Sequence, residues 1–248
     1  MLDGMEIDGT VKDVFLSEVM NKYCYNIVDF TKYFFSGIKG IMYYDAFGTA
    51  RINAIDQGHL IKNLIGCGWK YICHEVEMMV DRPTFNNVTK LTMSVDVDRF
   101  PVITCRGSEY FVSVNKSSID EIAKRFTKSR FHCDESIPSD ISYEIKRKWI
   151  NNIFDKKRAE DTLIYREDSD SMDLMGFVCI TKGGIIDLIG TAHKINNKGI
   201  AELLVSRALK YYDQLVAKTQ LNNKKAIDFY YRVGFQPINY YMVFHKHD

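Results

Sequence analysis

Residues 185–201 read Ile-Ile-Asp-Leu-Ile-Gly-Thr-Ala-His-Lys-Ile-Asn-Asn-Lys-Gly-Ile-Ala, and this stretch decides the fold. The apolar run 185–192 predicts a strand, and the polar residues 194–199 predict a loop. A helix is predicted directly after the loop, with apolar side chains at Ile200, Leu203, Leu204, Ala208 and Tyr211. The first amides of a helix have no intrahelical partner, and its dipole favours negative charge there. A strand, a loop and a helix start in this order therefore predict an anion site suited to a pyrophosphate.

The elements around this stretch alternate in type. Strands are predicted at 71–79, 162–166, 175–180, 215–219 and 240–244, with Lys182-Gly183-Gly184 as a hairpin turn. Helices are predicted from a capping box at Ser118 to Phe126, from Pro138 onward, and at 224–232 between Asn223 as N-cap and Gly234 as C-cap. Residues 81–87 are the least regular stretch of the first half. This pattern predicts an α/β protein.

The composition narrows the function classes. The chain has 248 residues, of which 46% are hydrophobic, and its formal net charge is +1. This balance does not indicate a nucleic-acid or membrane partner. The six cysteines form no Cys-x-x-Cys pair, and no zinc or other metal motif is present. The first residues do not resemble a signal peptide, so we expect a cytoplasmic protein.

Two motifs make the interpretation more specific. Asn196-Asn197-Lys198-Gly199-Ile200-Ala201 resembles the coenzyme A pyrophosphate loop of the GNAT acyltransferases, Gln/Arg-x-x-Gly-x-Gly/Ala. Residues 223–235 resemble the family's second signature, Asn-x-x-Ala, then Tyr, then Gly-Phe, with the same spacing from Asn223 to Tyr230. The resemblance implies a GNAT fold, with a mostly antiparallel twisted sheet and flanking helices. Asn196 departs from the usual Gln or Arg.

The GNAT resemblance also implies the residues of the donor site. Its cofactor would be acyl-coenzyme A, without a metal. Backbone groups of one strand would run beside the pantetheine arm, and the loop would hold the pyrophosphate. The residues implied are Leu188, Ile189, Gly190, Thr191, Asn196, Asn197, Lys198, Gly199, Ile200, Ala201 and Asn223.

A narrower resemblance extends over most of the chain. Ser129-Arg130-Phe131, the helix start at Pro138 and Trp149-Ile150 are similar to the bacterial dTDP-fucosamine acetyltransferase group. Residues 34–37 and 65–69, followed by Glu75, are similar to that group's N-terminal domain. The resemblance implies transfer of an acetyl or 3-hydroxybutyryl group to the amine of a dTDP-linked amino-dideoxyhexose, for surface polysaccharide such as lipopolysaccharide.

The resemblance assigns Tyr230 as the general acid that protonates the departing thiolate. A phenol has an unperturbed pKa of about 10 and is therefore protonated at neutral pH. Tyr230 also shares a helix face with Ala226 and Ile227, so a purely structural tyrosine is the alternative.

The acceptor side is less specific. Glu75 and Glu77 share one strand face, with His74 on the other, and a carboxylate there would take a proton from the amine. A solvated strand face is an equal alternative. The other acceptor candidates are His74, Arg130, Phe131 and His132, and His132 and Asp134 would alternatively cap a loop. The tail His245-Lys246-His247 is expected to be exposed.

The predicted domain boundary lies near residues 98–101. Residues 1–100 would form a small α/β domain contributing to the acceptor site, and 101–248 the GNAT acyl-CoA-binding domain. Two alternatives stay open: a GNAT enzyme acting on a peptide, protein or small amine, and a non-enzymatic module that binds coenzyme A. The oligomeric state is open as well, with a homodimer among the options.

Overall fold

The computed structural model describes residues 42–44, 49–53, 62, 65–66, 68–92, 102–106, 112–155, 159–166, 171–192 and 199–246. Its strands are β1 (Met42–Tyr44), β2 (Thr49–Asn53), β3 (Trp69–Asp81), β4 (Val102–Arg106), β5 (Asp161–Tyr165), β6 (Gly176–Thr181), β7 (Ile185–Thr191), β8 (Gln214–Gln220) and β9 (Gln236–Lys246). Its helices are α1 (Arg82–Thr92), α2 (Lys116–Ala123), α3 (Arg130–Cys133), α4 (Ser139–Phe154), α5 (Ile200–Ala208) and α6 (Lys224–Arg232). The predicted α/β class is confirmed.

The strands form one nine-stranded sheet in the order β1-β2-β9-β3-β8-β7-β6-β5-β4. All pairings between described strands are antiparallel except that of β7 with β8. β3 lies between β8 and β9 and pairs with both over most of its length. The predicted boundary falls on residues outside the described ones, but strands from both sides of it share this sheet.

The two faces of β3 carry different helices. The Cys73 thiol hydrogen-bonds to the thiol of Cys133 at the end of α3, so α3 lies on the face that also carries Glu75. On the other face, a Cβ placed at Gly234, just after α6, would lie 3.6 Å from Val80 and 3.5 Å from Thr84 of α1. Helices therefore cover both sides of the sheet centre.

The predicted strands, and the helices predicted from Pro138 onward, correspond closely to the observed ones. The prediction that residues 81–87 are irregular is wrong: Asp81 is the last residue of β3, and residues 82–87 belong to α1. Asp81 caps this helix, because its carboxylate accepts a hydrogen bond from the Thr84 amide at 2.8 Å. Pro83 is tolerated in the first turn, where its missing N–H costs no helical hydrogen bond.

Three smaller predictions are wrong. α2 begins at Lys116, before the predicted capping box, because the Ser118 hydroxyl instead donates to the Asn115 carbonyl at 2.7 Å. Tyr211 lies beyond α5 and is exposed. His245 is not in an exposed tail: it is fully buried in β9, and its Nδ1 lies 2.7 Å from the Asp134 carboxylate.

Candidate functional site

β7 and β8 separate along their length. They pair only at Ile185 and Ile186, opposite Val216 and Ala217. On its other edge, β7 stays paired with β6 as far as Thr191. In the described part of the chain, Leu188, Ile189 and Gly190 therefore have no strand neighbour on the β8 side. Their backbone groups form an open edge at which an extended ligand can add as a strand would.

The register of β7 changes at the point where the opening begins. Cys179 pairs with Leu188, but the next residue of β6, Ile180, pairs with Ile186. Asp187 is therefore the extra residue of a β-bulge, which bends a strand and increases its twist. The Asp187 carboxylate accepts a hydrogen bond from the Trp149 indole of α4 at 3.0 Å.

The start of α5 follows this open edge. Gly199 is its N-cap, with a left-handed φ of 74°, and as a glycine it has no side chain of its own to cap the first amides. The Gly199 carbonyl accepts from the Leu203 amide at 2.9 Å, so the helix begins cleanly at Ile200. The amides of Ile200 and Ala201 are in the first turn, where a helix binds anions. Asn196, Asn197 and Lys198 lie outside the described residues.

Tyr230 lies on the buried side of α6. Its ring centroid is 4.9 Å from that of Phe235 and 5.2 Å from that of Phe229. Burial raises the pKa of its phenol above the ordinary value of 10.0. The hydroxyl is therefore protonated across the physiological pH range and is a proton donor.

Asn223 caps the N-terminus of α6, as the sequence predicts. Its Oδ1 accepts from the Ala226 amide at 3.4 Å, and its Nδ2 donates to the Thr219 hydroxyl at 3.3 Å. The residue therefore fixes the junction between β8 and the helix that carries Tyr230.

Two carboxylates of β3 lie on the face covered by α3. Glu75 is 2% exposed and accepts from the Gln220 amide of β8 at 2.8 Å. Glu77 accepts from Asn239 at 2.7 Å and from the Tyr241 hydroxyl at 2.9 Å, and it pairs with Lys218 at 3.3 Å. The carboxylates are thus held in fixed positions rather than solvated on a strand face.

The α3 residues bring cationic and aromatic groups to the same side. The buried Arg130 guanidinium lies 4.5 Å from the Phe131 ring centroid, and Phe131 packs edge-on against Trp149. His132 Nδ1 lies 2.7 Å from the Ser129 hydroxyl. Burial, and secondarily the charge of Lys146, lowers the pKa of His132 to about 4, so this imidazole is neutral at pH 7.

Cys133, next to His132, forms a thiol pair with Cys73. The hydrogen bond from Cys73 lowers the pKa of Cys133 to about 6 and raises that of Cys73. The Asn222 amide also donates to the Cys133 sulfur at 3.5 Å. The Cys133 sulfur therefore lies next to the end of β8.

The structure brings four of the five predicted acceptor residues to one side of the sheet. Glu75, Arg130, Phe131 and His132 belong to β3 and α3, which pack on one side of the sheet. His74 does not join them: it is exposed and lies 2.5 Å from the Tyr71 hydroxyl. Gln220 and Asp187 could not be identified from the sequence as residues of the site, because their contacts depend on strand register and helix docking.

Two further properties concern the described residues only. None of their helices combines the length and apolar composition needed to cross a lipid bilayer. No group of three or more His, Cys, Asp or Glu side chains among them could hold a metal ion.

Known proteins resemble this chain at the level of sequence. Residues 120–235 match the model of the Acetyltransferase (GNAT) family. The Spore coat polysaccharide biosynthesis protein SpsD of Bacillus subtilis (strain 168) is 27% identical over 134 residues, which are 52% of this chain and 46% of the relative. The chain therefore spans about half the length of this curated relative.

Solved structures also resemble the chain. One is a GCN5-related N-acetyltransferase from Sphaerobacter thermophilus, with a TM-score of 0.47 and 14% identity over 84% of this chain and 60% of that one. Another is a tandem GNAT protein from the clavulanic acid biosynthesis pathway, with a TM-score of 0.47 and 12% identity over 77% of this chain and 58% of that one.

Proposed function

Because residues 120–235 match the model of the Acetyltransferase (GNAT) family, we propose that the protein transfers an acyl group from acyl-coenzyme A to an amine of a nucleotide-linked amino sugar. The observation that carries the proposal is the opening between β7 and β8, which is followed in the chain by the start of α5. These segments would provide an open strand edge for an extended arm and an anion site for a pyrophosphate.

The donor site would be built mainly from backbone groups. Leu188, Ile189, Gly190 and Thr191 would pair with the pantetheine arm, and one amide would face the thioester oxygen, where negative charge develops. The amides after Gly199 would hold the pyrophosphate. Asn196, Asn197 and Lys198 would complete this loop. The donor would be acetyl-CoA or 3-hydroxybutyryl-CoA.

Tyr230 would act as the general acid. Transfer to an amine needs a proton on the sulfur of the departing thiolate. The raised pKa of the buried phenol keeps that proton available. Tyr230 packs on the face opposite Glu75, so acid and acceptor would approach the thioester from opposite sides of the opening.

The acceptor would lie on the side of β3 and α3. Glu75 is a buried carboxylate with a fixed orientation, suited to bind the amine and take its proton directly or through water. Arg130, with the neutral His132 nearby, would bring a positive charge to the side of the site that faces the anionic part of a sugar nucleotide. His74, exposed beside Tyr71, would contribute only at the rim. In this proposal residues 1–100 contribute to the acceptor site through Glu75.

The nucleotide-sugar acceptor has one further support, the polysaccharide-biosynthesis name of the Bacillus subtilis relative. A cytoplasmic location is part of the same proposal, because sugar nucleotides and acyl-CoA are made there.

The test is a mass-spectrometric screen of the full chain. Acetyl-CoA and 3-hydroxybutyryl-CoA are each combined with dTDP-amino-dideoxyhexoses, peptides and polyamines. We expect acylated sugar nucleotide together with released thiol. Acylation of peptides or polyamines alone would replace the acceptor class, and coenzyme A binding without transfer to any amine would indicate a non-enzymatic module.

A further inference from the structure

A polar contact between two side chains connects the β7 bulge to α4. Trp149 Nε1 donates to Asp187 Oδ2 at 3.0 Å, and the Cys179 thiol of β6 lies 4.0 Å from the same oxygen. Asp187 is the extra residue of the bulge, so this contact holds the position at which the register of β7 changes. It also lies one residue beyond the last pairing of β7 with β8.

Trp149 is itself held on several sides. It is almost fully buried, and the Lys146 ammonium lies 3.9 Å from its ring centroid. The Phe131 ring packs edge-on against it, with centroids 6.5 Å apart. An indole fixed in this way presents its N–H in one direction, so the aspartate that accepts from it has little freedom.

We propose that Trp149 and Asp187 are positioning residues for the transfer reaction, and that their hydrogen bond fixes the β7 bulge so that the backbone of Leu188–Gly190 is aimed into the opening. The inference rests on the proposed function, because those backbone groups would bind the arm and face the thioester oxygen. Neither side chain touches the reacting atoms; both act through the backbone of β7.

In this arrangement, the direction of the β7 backbone groups matters more for the reaction than the affinity for coenzyme A. A hydrogen-bond donor stabilises developing charge best when its direction is set before the reaction. Small displacements of reacting groups lower the rate substantially. The proposed pyrophosphate site at the start of α5 follows β7 in the chain, whereas the bulge is at Asp187, before the residues that would pair with the arm. Loss of the Trp149–Asp187 hydrogen bond should therefore lower kcat by a larger factor than it weakens coenzyme A binding.

The test compares Trp149→Phe, Asp187→Val and the double variant with the wild-type chain. We expect kcat to fall about tenfold in each single variant, the effect of losing one hydrogen bond. The double variant should fall no further, because both changes break the same contact. Asp187→Asn keeps an acceptor oxygen and should recover most of the kcat lost in Asp187→Val. In each variant that loses the hydrogen bond, the dissociation constant of coenzyme A should change by a smaller factor than kcat.

A matched control variant distinguishes an effect on the direction of the β7 backbone from an effect on the packing of α4. Phe154→Leu, on the same helix, loosens the edge-on contact of Phe154 with Phe177 and should lower the melting temperature without lowering kcat. If Trp149→Phe lowers the melting temperature but not kcat, as expected for Phe154→Leu, the Trp149–Asp187 hydrogen bond is only structural and the proposal is overturned. If Asp187→Asn falls as far as Asp187→Val, the charge matters rather than the hydrogen bond, and the proposal is overturned.

A second readout does not depend on turnover. Amide hydrogen exchange at Leu188–Gly190 should be about tenfold faster in Trp149→Phe and Asp187→Val than in the wild type. Unchanged exchange rates at Leu188–Gly190 would contradict the proposed role of the Trp149–Asp187 hydrogen bond, even if the enzyme is active. A wild-type chain inactive toward every amine would overturn the proposed function, whereas the exchange rates would still decide whether the contact fixes the bulge.

Discussion

Burial acts in opposite senses on two residues of the site, because a phenol is neutral when protonated and an imidazole is neutral when deprotonated. Burial raises the pKa of Tyr230 and lowers that of His132 to about 4. At pH 7 the first therefore retains its proton and the second carries no charge. Both states require the folded structure, since sequence spacing alone does not give the degree of burial.

His132 makes stability depend on pH. Its pKa in the folded chain, about 4, is below the ordinary 6.5, so the unfolded chain binds the proton more readily. Stability is therefore lost as pH falls from about 6.5 towards 4. We expect His132→Asn, which cannot take up this proton, to lose less melting temperature than the wild type between pH 7 and pH 4.5. Parallel losses in the two proteins would show that another group is responsible.

At the scale of single elements, local signals predicted the structure well. α6 has the predicted bounds because Asn223 caps it and Gly234 follows it with a φ of 93°. The hairpin turn at Gly183 and Gly184 occurs as predicted, with positive φ at both residues. The sequence does not predict α1, because its first residues are mostly polar and include Pro83. Its cap, Asp81, is also the last residue of the preceding strand.

The start of α5 provides a prediction about coenzyme A. Gly199→Ala places a Cβ at a left-handed position, which costs about 1 kcal/mol, and puts it where the backbone would approach the pyrophosphate. We expect the dissociation constant of coenzyme A, measured by calorimetry, to rise at least about tenfold, which is about 1.4 kcal/mol.

Gly183→Ala is the matched control for this prediction. Gly183 has a similar φ of 80°, and a Cβ there would have no neighbour within 4 Å. Its melting temperature should fall by a similar amount while coenzyme A affinity stays unchanged. Equal affinities in the two variants would exclude the start of α5 from the donor site.

At the scale of the whole molecule, the sheet order could not be predicted. β3 precedes the predicted boundary yet lies between β8 and β9, which follow it. Nothing local in residues 69–81 indicates these partners, because strand pairing over such a distance depends on the complete fold. The Glu75–Gln220 contact has the same origin: the two residues are register partners of β3 and β8.

The position of β3 has a consequence for truncation. Removing residues 1–100 would leave β8 and β9 without their shared neighbour and would expose the buried side chains packed around Met78. We expect residues 101–248 alone to show no cooperative thermal unfolding by circular dichroism and no coenzyme A binding. A cooperative transition with unchanged coenzyme A affinity would instead support two separable domains.

In the proposed function, the β7–β8 opening brings a donor thioester to Tyr230 on one side and an amine on the other. The most direct test is the steady-state kinetics of full-length Tyr230→Phe, with melting temperature measured on the same sample. The substitution keeps the ring against Phe235 and removes only the proton donor. We predict a fall in kcat of about 10²–10⁴-fold with little change in either Michaelis constant and only a modest loss of stability. A variant with near wild-type kcat would contradict the account.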